Sequence, residues 1–352
     1  MTVTREARTS LEQPLARGVA HRDGVRATGL LISVCVLIVV IALSLMVGSK
    51  SIDAGTVWHA LLGAPVGDDG SIVLELRLPR TILGVLVGVA LGLSGALIQA
   101  LTRNPLADPG ILGVNAGAGF AVVLAVALLG ITSIHQYLWF SFLGAVVATV
   151  LVSVIGSAGR GGATPVRLTL AGIALAAVLG GVSSGITLLA PRVFDAMRYW
   201  GAGNIANRPP ETLAVIVPFI VVGVVIALAV AKPLNAVAMG DDLAATLGAR
   251  LGRTRVLVIV AVTLLCGAAT AAAGPIGFVG LMVPHIVRWF VGPDQRWILA
   301  YTIVLAPVLL LASDIVGRVV MSSGELQVGI VTAFIGAPVL IVLVRGKRVS
   351  GL

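Results

Sequence analysis

The sequence predicts an all-α polytopic membrane protein with ten transmembrane helices, on three observations. First, 58% of its 352 residues are hydrophobic and only 11% are charged. A water-soluble domain needs about a quarter charged residues to cover its surface, so most of this surface must face something other than water. Second, apolar runs recur along the whole chain, at 28–47, 81–101, 109–131, 138–157, 168–190, 212–231, 256–273, 275–291, 297–313 and 326–344. About 20 helical residues rise roughly 30 Å, the hydrocarbon thickness of a bilayer. Third, Gly274-Pro275 interrupts the uncharged stretch 256–287. As one helix that stretch would overshoot the bilayer at about 48 Å. Proline removes a helical N–H and clashes with the preceding turn, so two short spans fit instead.

Residues 1–27 hold arginines at 5, 8, 17, 22 and 26 and no apolar core. The run 28–47 is too long for a signal-peptide core, and no A-x-A cleavage site follows it. The chain therefore divides into a basic tail (1–27), a ten-helix domain (28–346) and a short C-terminal tail (347–352).

The second and third runs form the most informative segment. Arg77 and Arg80 stop at Thr81, and no charge follows until Arg103. A rigid polar turn, Asn104-Pro105-Leu106-Ala107-Asp108-Pro109, leads into the next run. The pattern is a membrane hairpin with two arginines at one mouth and a proline-locked turn at the other.

Lys and Arg in short loops set orientation. With a cytoplasmic N-terminus and ten crossings, Lys50, Arg77, Arg80, Arg192, Arg198, Arg208 and Arg318 lie outside, and the other 17 of 24 lie inside. Both termini are thus expected in the cytoplasm of a multi-pass cell-membrane protein. The two cysteines, Cys35 and Cys266, fall in apolar runs and read as small buried hydrophobes rather than a disulfide framework.

Small residues punctuate the runs, as at Gly84, Gly88 and Gly92 and from Gly172 to Gly185. Such spacing lets helix backbones approach closely in lipid, within one subunit or at a dimer seam. There is also an internal echo. Arg77-Leu78-Pro79-Arg80-Thr81 before the second run is matched by Arg250-Leu251-Gly252-Arg253-Thr254 before the seventh. Pro109 to Gly113 loosely parallels Pro275 to Gly280. The copies enter from opposite sides, as in an inverted repeat.

The chemistry that is missing narrows the function. No G-x-x-x-x-G-K-S/T phosphate loop occurs, so ATP hydrolysis is not expected of this chain. The 15 Asp and Glu fall in tails, loops or run ends, with Asp314 nearest a helix body. An ion-coupled carrier usually places ionisable groups at mid-depth, where each costs about 2.5–3.5 kcal/mol to insert and so needs a functional reason. His21, His59, His135 and His285 make no metal-ligand cluster, and Pro284-His285 fits a helix cap or kink. The basic residues form no patch with interleaved aromatics, so the net charge of +9 does not point to nucleic acid.

The loop 239–255, MGDDLAATLGARLGRTR, carries a short helix signal. Asp241 and Asp242 suit its N-terminus, Gly248 suits its end, and Leu243 and Leu247 share a face. Such a helix docks into a groove on a partner protein or lies on the membrane surface. The residues alone leave both open.

Six segments carry a resemblance: RLPR (77–80), GALIQALTRNPLADPGILG (95–113), LGARLGRTR (247–255), GPIGFVGLMVPHIVR (274–288), ASDIVGR (312–318) and GELQVGIVTAFIGAPVLIVLVR (324–345). In order and spacing they resemble the FecCD/BtuC-type permeases of bacterial ABC importers for iron–siderophore complexes and vitamin B12. The resemblance implies a BtuC-like type II importer fold and pairing with a second permease subunit. It further implies two separate ATPase subunits that hold ATP and Mg2+, an extracytoplasmic siderophore-binding protein, and no cofactor on this chain.

The resemblance also assigns residues. Arg77, Arg80 and Arg318 match arginines that engage the binding protein. Residues 240–252, with Asp241, Asp242, Leu243, Ala244, Leu247 and Gly248, match the coupling helices that press on the ATPases. Thr164, Pro165 and Val166 match an inner gate, although Pro165 stands where relatives carry small hydroxyl residues. Gln327 and Val339 also depart from the family pattern, where proline and phenylalanine are common. The stretches 102–118, 165–179 and 282–297 look most like subunits for catecholate, enterobactin-type siderophores, which commonly pair two non-identical permeases. Cobalamin and haem are the competing cargoes. An ion-coupled secondary transporter and a non-transporting scaffold are the competing classes.

Overall fold

A computed structural model describes residues 23–131, 133–158, 164–246, 250–321 and 324–345, and these residues hold helices and no strand. In chain order the helices are α1 (Asp23–Met46), α2 (Ala54–Leu61), α3 (Gly67–Ser71), α4 (Leu78–Thr102), α5 (Val114–Leu129), α6 (Ile134–Ser157), α7 (Pro165–Leu189) and α8 (Pro191–Trp200). They continue with α9 (Glu211–Ala229), α10 (Ala231–Ala238), α11 (Asp241–Thr246), α12 (Leu251–Ala273), α13 (Val279–Val291), α14 (Gln295–Val319) and α15 (Val328–Arg345).

Among the described residues, seven helical stretches are long and apolar enough to cross a membrane: those of α1, α3 through α4, α6, α7, α9, α12 and α14. Three shorter apolar helices, Val114–Leu129, Val279–Val291 and Val328–Val342, occupy the remaining runs. The count of ten crossings therefore rests on these three.

Two of the short helices follow backbone that is not α-helical. Pro109–Leu112 forms a 3-10 turn, and Gly113, at φ 75°, redirects the chain into α5. After α12, the segment 274–278 is unwound, so α13, the helix of the eighth apolar run, begins at Val279 rather than at residue 275. Gly274 takes φ 76°, and Phe278 takes the left-handed φ of 68° just before α13. Non-helical backbone at membrane depth is tolerated where protein covers it. The two halves of the sequence echo thus coincide with two structural interruptions.

The second run also differs from its expectation. The helix does not begin at Thr81 but continues from Gly67 through a widened π-helical turn, Ile72–Arg77. Pro79 has no N–H to give, and Leu78 N–H reaches back five residues to the Val73 carbonyl. The RLPR arginines therefore project from a helix rather than from a loop.

At the hub lies α4, packed on α12, α13 and α14. Its small-residue stripe makes this possible. A Cβ on Gly88 would lie 2.6 Å from the Pro307 Cα, and one on Gly92 2.5 Å from the Ala306 Cβ. At Gly95 it would lie 1.7 Å from the Gly280 carbonyl oxygen. The stripe at 84–92 is thus an intrasubunit seam. The Gly172–Gly185 series behaves otherwise: Gly172 backs onto the Ile111 carbonyl, but among the described residues nothing comes within 4 Å of a Cβ at Gly180, Gly181 or Gly185. Cys266 is buried in the core, whereas Cys35 lies on the exposed face of α1.

Candidate functional site

Charged groups collect at opposite ends of the bundle. At one end, Arg77, Arg80 and Arg318 surround Asp314 and the last turn of α1. Arg77 is 7% exposed and Arg318 3%. The Arg77 Nη1 donates to the Leu45 and Met46 carbonyls, both at 2.7 Å, and its Nη2 donates to the Lys50 carbonyl. The Arg318 Nη1 donates to the Ser44 carbonyl at 2.7 Å and the Val47 carbonyl at 3.2 Å. A helix leaves its last four carbonyls without partners and gathers negative potential there, and α1 has no basic residue in its own last turn. Two arginines, Arg77 at the end of the π-helical turn before α4 and Arg318 on α14, fill that role.

Asp314, 1% exposed, binds the chain together from the other side. Its carboxylate accepts from the Arg80 Nη2 at 2.7 Å, the Arg80 Nε at 3.1 Å and the Arg318 Nε at 2.9 Å, and also from the Arg318 Nη2. The Arg80 Nη1 reaches outward to Glu325 at 2.7 Å. Buried charges persist only when paired and fully hydrogen-bonded, and this cluster meets that condition. Its exposed edge is the Arg80–Glu325 pair, where the Glu325 side chain is 36% exposed.

Beside the cluster opens a cavity of about 260 Å3 lined by Lys50, Glu75, Arg77, Arg80, Arg208, Arg318 and Glu325. Arg208 lies in the loop after α8 and donates from Nε to the Asn204 carbonyl at 3.1 Å. Burial holds its guanidinium below the ordinary arginine value, with Tyr137 working against that shift.

At the other end, Asp241 opens α11 and bridges two helices. It accepts from the Arg103 Nη2 at 2.9 Å and the Arg255 Nη2 at 2.6 Å, which ties α11 to the end of α4 and the start of α12. Ala244 is fully buried, while Leu243 is 49% exposed. Leu247 and Gly248 lie outside the described residues, and of Asp242 only its place in α11 is described. At the start of α7, the Thr164 hydroxyl accepts from the Arg167 N–H at 3.4 Å and caps the helix, with Pro165 in the first turn and Val166 67% exposed.

Sequence reasoning missed a third polar group between α4 and α13. The Gln99 Nε2, fully buried, donates to the Leu281 carbonyl at 3.0 Å, and its Oε1 accepts from the Arg288 Nη2 at 3.4 Å. Arg288 is 6% exposed, so it is packed into the bundle rather than displayed in a loop. The signal available was its place one turn after Pro284-His285, on the face of α13 that meets α4.

Between the charged ends runs the barest surface of the molecule. Only 6% of α7's most apolar window is buried, against 78% for the stretch containing α4. Its exposed side carries Gly180, Gly181, Val182, Ser184, Gly185 and Leu188.

Comparison with known proteins draws these features together. The sequence model described as the FecCD transport family matches residues 36–346. The ferric enterobactin transport system permease protein FepD of Escherichia coli is 51% identical over 338 residues, 96% of this chain and 100% of that protein. The cobalamin import system permease protein BtuC of Halobacterium salinarum is 38% identical, over 80% of this chain and 75% of that protein. Among solved structures, an inward-facing metal-chelate type ABC transporter superposes with a TM-score of 0.80 at 26% identity, covering 91% of this chain and 99% of that one.

Proposed function

The chain belongs to the FecCD transport family, a multi-pass permease of the siderophore and iron ABC-importer class, and from that premise we propose that it forms half of a passage for a ferric catecholate siderophore of the enterobactin type. The observation that carries this reading is α7, a helix of spanning length whose Gly180, Gly181 and Gly185 have no neighbour within 4 Å among the described residues. A second permease subunit facing α7 would enclose a channel lined by these small residues together with Val178, Val182 and Leu188. The high identity to the enterobactin permease favours that cargo over cobalamin, which the more distant cobalamin relative represents.

The charged ends then take distinct roles. The cluster of Arg77, Arg80 and Arg318 faces the outside and receives the substrate-binding protein. Arg80 and Glu325 form its accessible edge, and Arg77 and Arg318 hold that edge rigid by bracing α1. Exposed charges of this kind set orientation and association rate more than affinity. At the cytoplasmic end, α11 within 240–252 docks on the ATPases through Leu243, and Asp241 relays its movement to α4 and α12. Thr164 to Val166, at the start of α7, stands as the inner gate. Both termini lie in the cytoplasm, ten crossings link the two faces, and energy comes from ATP and Mg2+ on the separate ATPase subunits.

The test is uptake by proteoliposomes holding this chain, its second permease and the ATPases, with a loaded binding protein outside. Uptake of ferric enterobactin that needs internal ATP and survives collapse of the membrane potential is expected. Uptake driven by an ion gradient without ATP would identify a secondary transporter instead.

A further inference from the structure

On the exterior of the bundle, α6 and α12 diverge to leave an apolar cleft of about 740 Å3. One wall is Val146, Val150 and Val154 of α6, and the other is Val256, Val260 and Leu264 of α12. Val154 is 62% exposed and Val256 60%, so none of the described residues covers the cleft. Its hydroxyl groups are spent internally. Thr149, Ser153, Ser157 and Thr263 each donate to the carbonyl four residues back, at 2.9, 2.7, 2.5 and 2.7 Å. An occupant therefore meets hydrocarbon and no spare donor.

The cleft ends at a positive mouth. Arg253, Val256 and Val260 are exposed at spacings of three and four, so Arg253 stands on the same stripe of α12 as the cleft wall, one turn before it. Arg250 precedes it at the end of the helix. Asp241 takes Arg255 and Arg103, and among the described residues neither Arg250 nor Arg253 enters an ion pair. The largest exposed side chains of the lining, Val150, Val154 and Val256, are β-branched and do not favour the close backbone approach of a partner helix as glycine and alanine do. A long apolar trough with two guanidinium groups at its membrane-surface end matches the shape and charge of a lipid.

We propose that this cleft binds one anionic glycerophospholipid from the leaflet bordering α11, with an acyl chain between α6 and α12 and its phosphate held by Arg253 and Arg250. The site is independent of the transported cargo. An arginine near a membrane surface contributes about 1 kcal/mol toward an anionic lipid, about fivefold in affinity.

The test is native mass spectrometry of the full chain in detergent with equal phosphatidylglycerol and phosphatidylcholine added. The unaltered chain is expected to retain phosphatidylglycerol preferentially. Arg250→Gln with Arg253→Gln should cut that preference by roughly 25-fold, the product of two such contributions. Val260→Trp, at a position already exposed, should fill the trough and reduce retained lipid of either headgroup while the melting temperature holds. Equal retention of the two lipids by the unaltered chain would overturn the proposal. So would an unchanged preference in the arginine variant, or undiminished lipid in Val260→Trp. Disulfide-linked dimers formed through Val154→Cys would assign the cleft to a second copy of the chain and also overturn it.

Discussion

Helices α4 and α7 have the same length, 25 residues, and both are rich in glycine and alanine, yet the bundle treats them in opposite ways. Every glycine of the α4 stripe is pressed against a neighbour, from Leu311 beside Gly84 to Gly280 beside Gly95. On α7, by contrast, nothing among the described residues comes within 4 Å of a Cβ placed at Gly180, Gly181 or Gly185, and only Gly172 is pressed against a neighbour. In α4, small residues remove volume so that three helices converge on one. In α7, they leave an open wall. A small residue in a membrane helix therefore marks a place where something must come close, and only packing tells whether that something is already present.

The contrast can be broken most severely at Gly95. Gly95→Val would drive a side chain into the Gly280 carbonyl, a backbone group that cannot swing aside. The expected cost is about 5 kcal/mol or more, enough to remove the folded protein from detergent extracts. Gly181→Val should shift stability by less than about 0.5 kcal/mol. Equal melting temperatures for the two variants would erase the distinction between the helices.

Next in size is the clasp that fixes α4 at the arginine end. Asp314→Ala leaves the buried guanidinium of Arg318 and most of Arg80 without their anion. Removing one partner of such a group costs about 3–5 kcal/mol. Denaturant titration should show that loss, and a change below about 1 kcal/mol would mean that water already screens the cluster. The smallest effect on folding is expected from Leu243→Asp, since that side chain is half exposed. Stability should hold within about 0.5 kcal/mol while ATP-dependent uptake in proteoliposomes falls at least tenfold. Normal uptake would remove α11 from the coupling path.

Much of this architecture was legible in the residues. Composition and the apolar runs gave the all-helical membrane class, and Gly274-Pro275 located an interruption that the backbone takes at 274–278. The charge pattern gathered Arg77, Arg80 and Arg318 at one end before any coordinates did. What the residues could not disclose was their inward turn. Arg77 and Arg318 cap α1 through carbonyls 27 to 274 residues away in sequence, a pairing that no local pattern encodes. Arg288 misled for a related reason: a charge at the end of an apolar run reads as a loop residue, but Gln99 receives it inside the bundle. The difference between α4 and α7 was equally hidden, because lipid and protein select the same apolar side chains.

Cross-linking across α7 tests the central claim most directly. With cysteine at Gly181 in an otherwise cysteine-free chain, a thiol-reactive ferric siderophore analogue should label that position in the assembled importer. A bifunctional reagent should join it to the second permease. A Gly181→Cys thiol that is reached only by lipid-soluble reagents, and never by the cargo analogue or the neighbouring subunit, would place α7 at the lipid boundary and contradict the account.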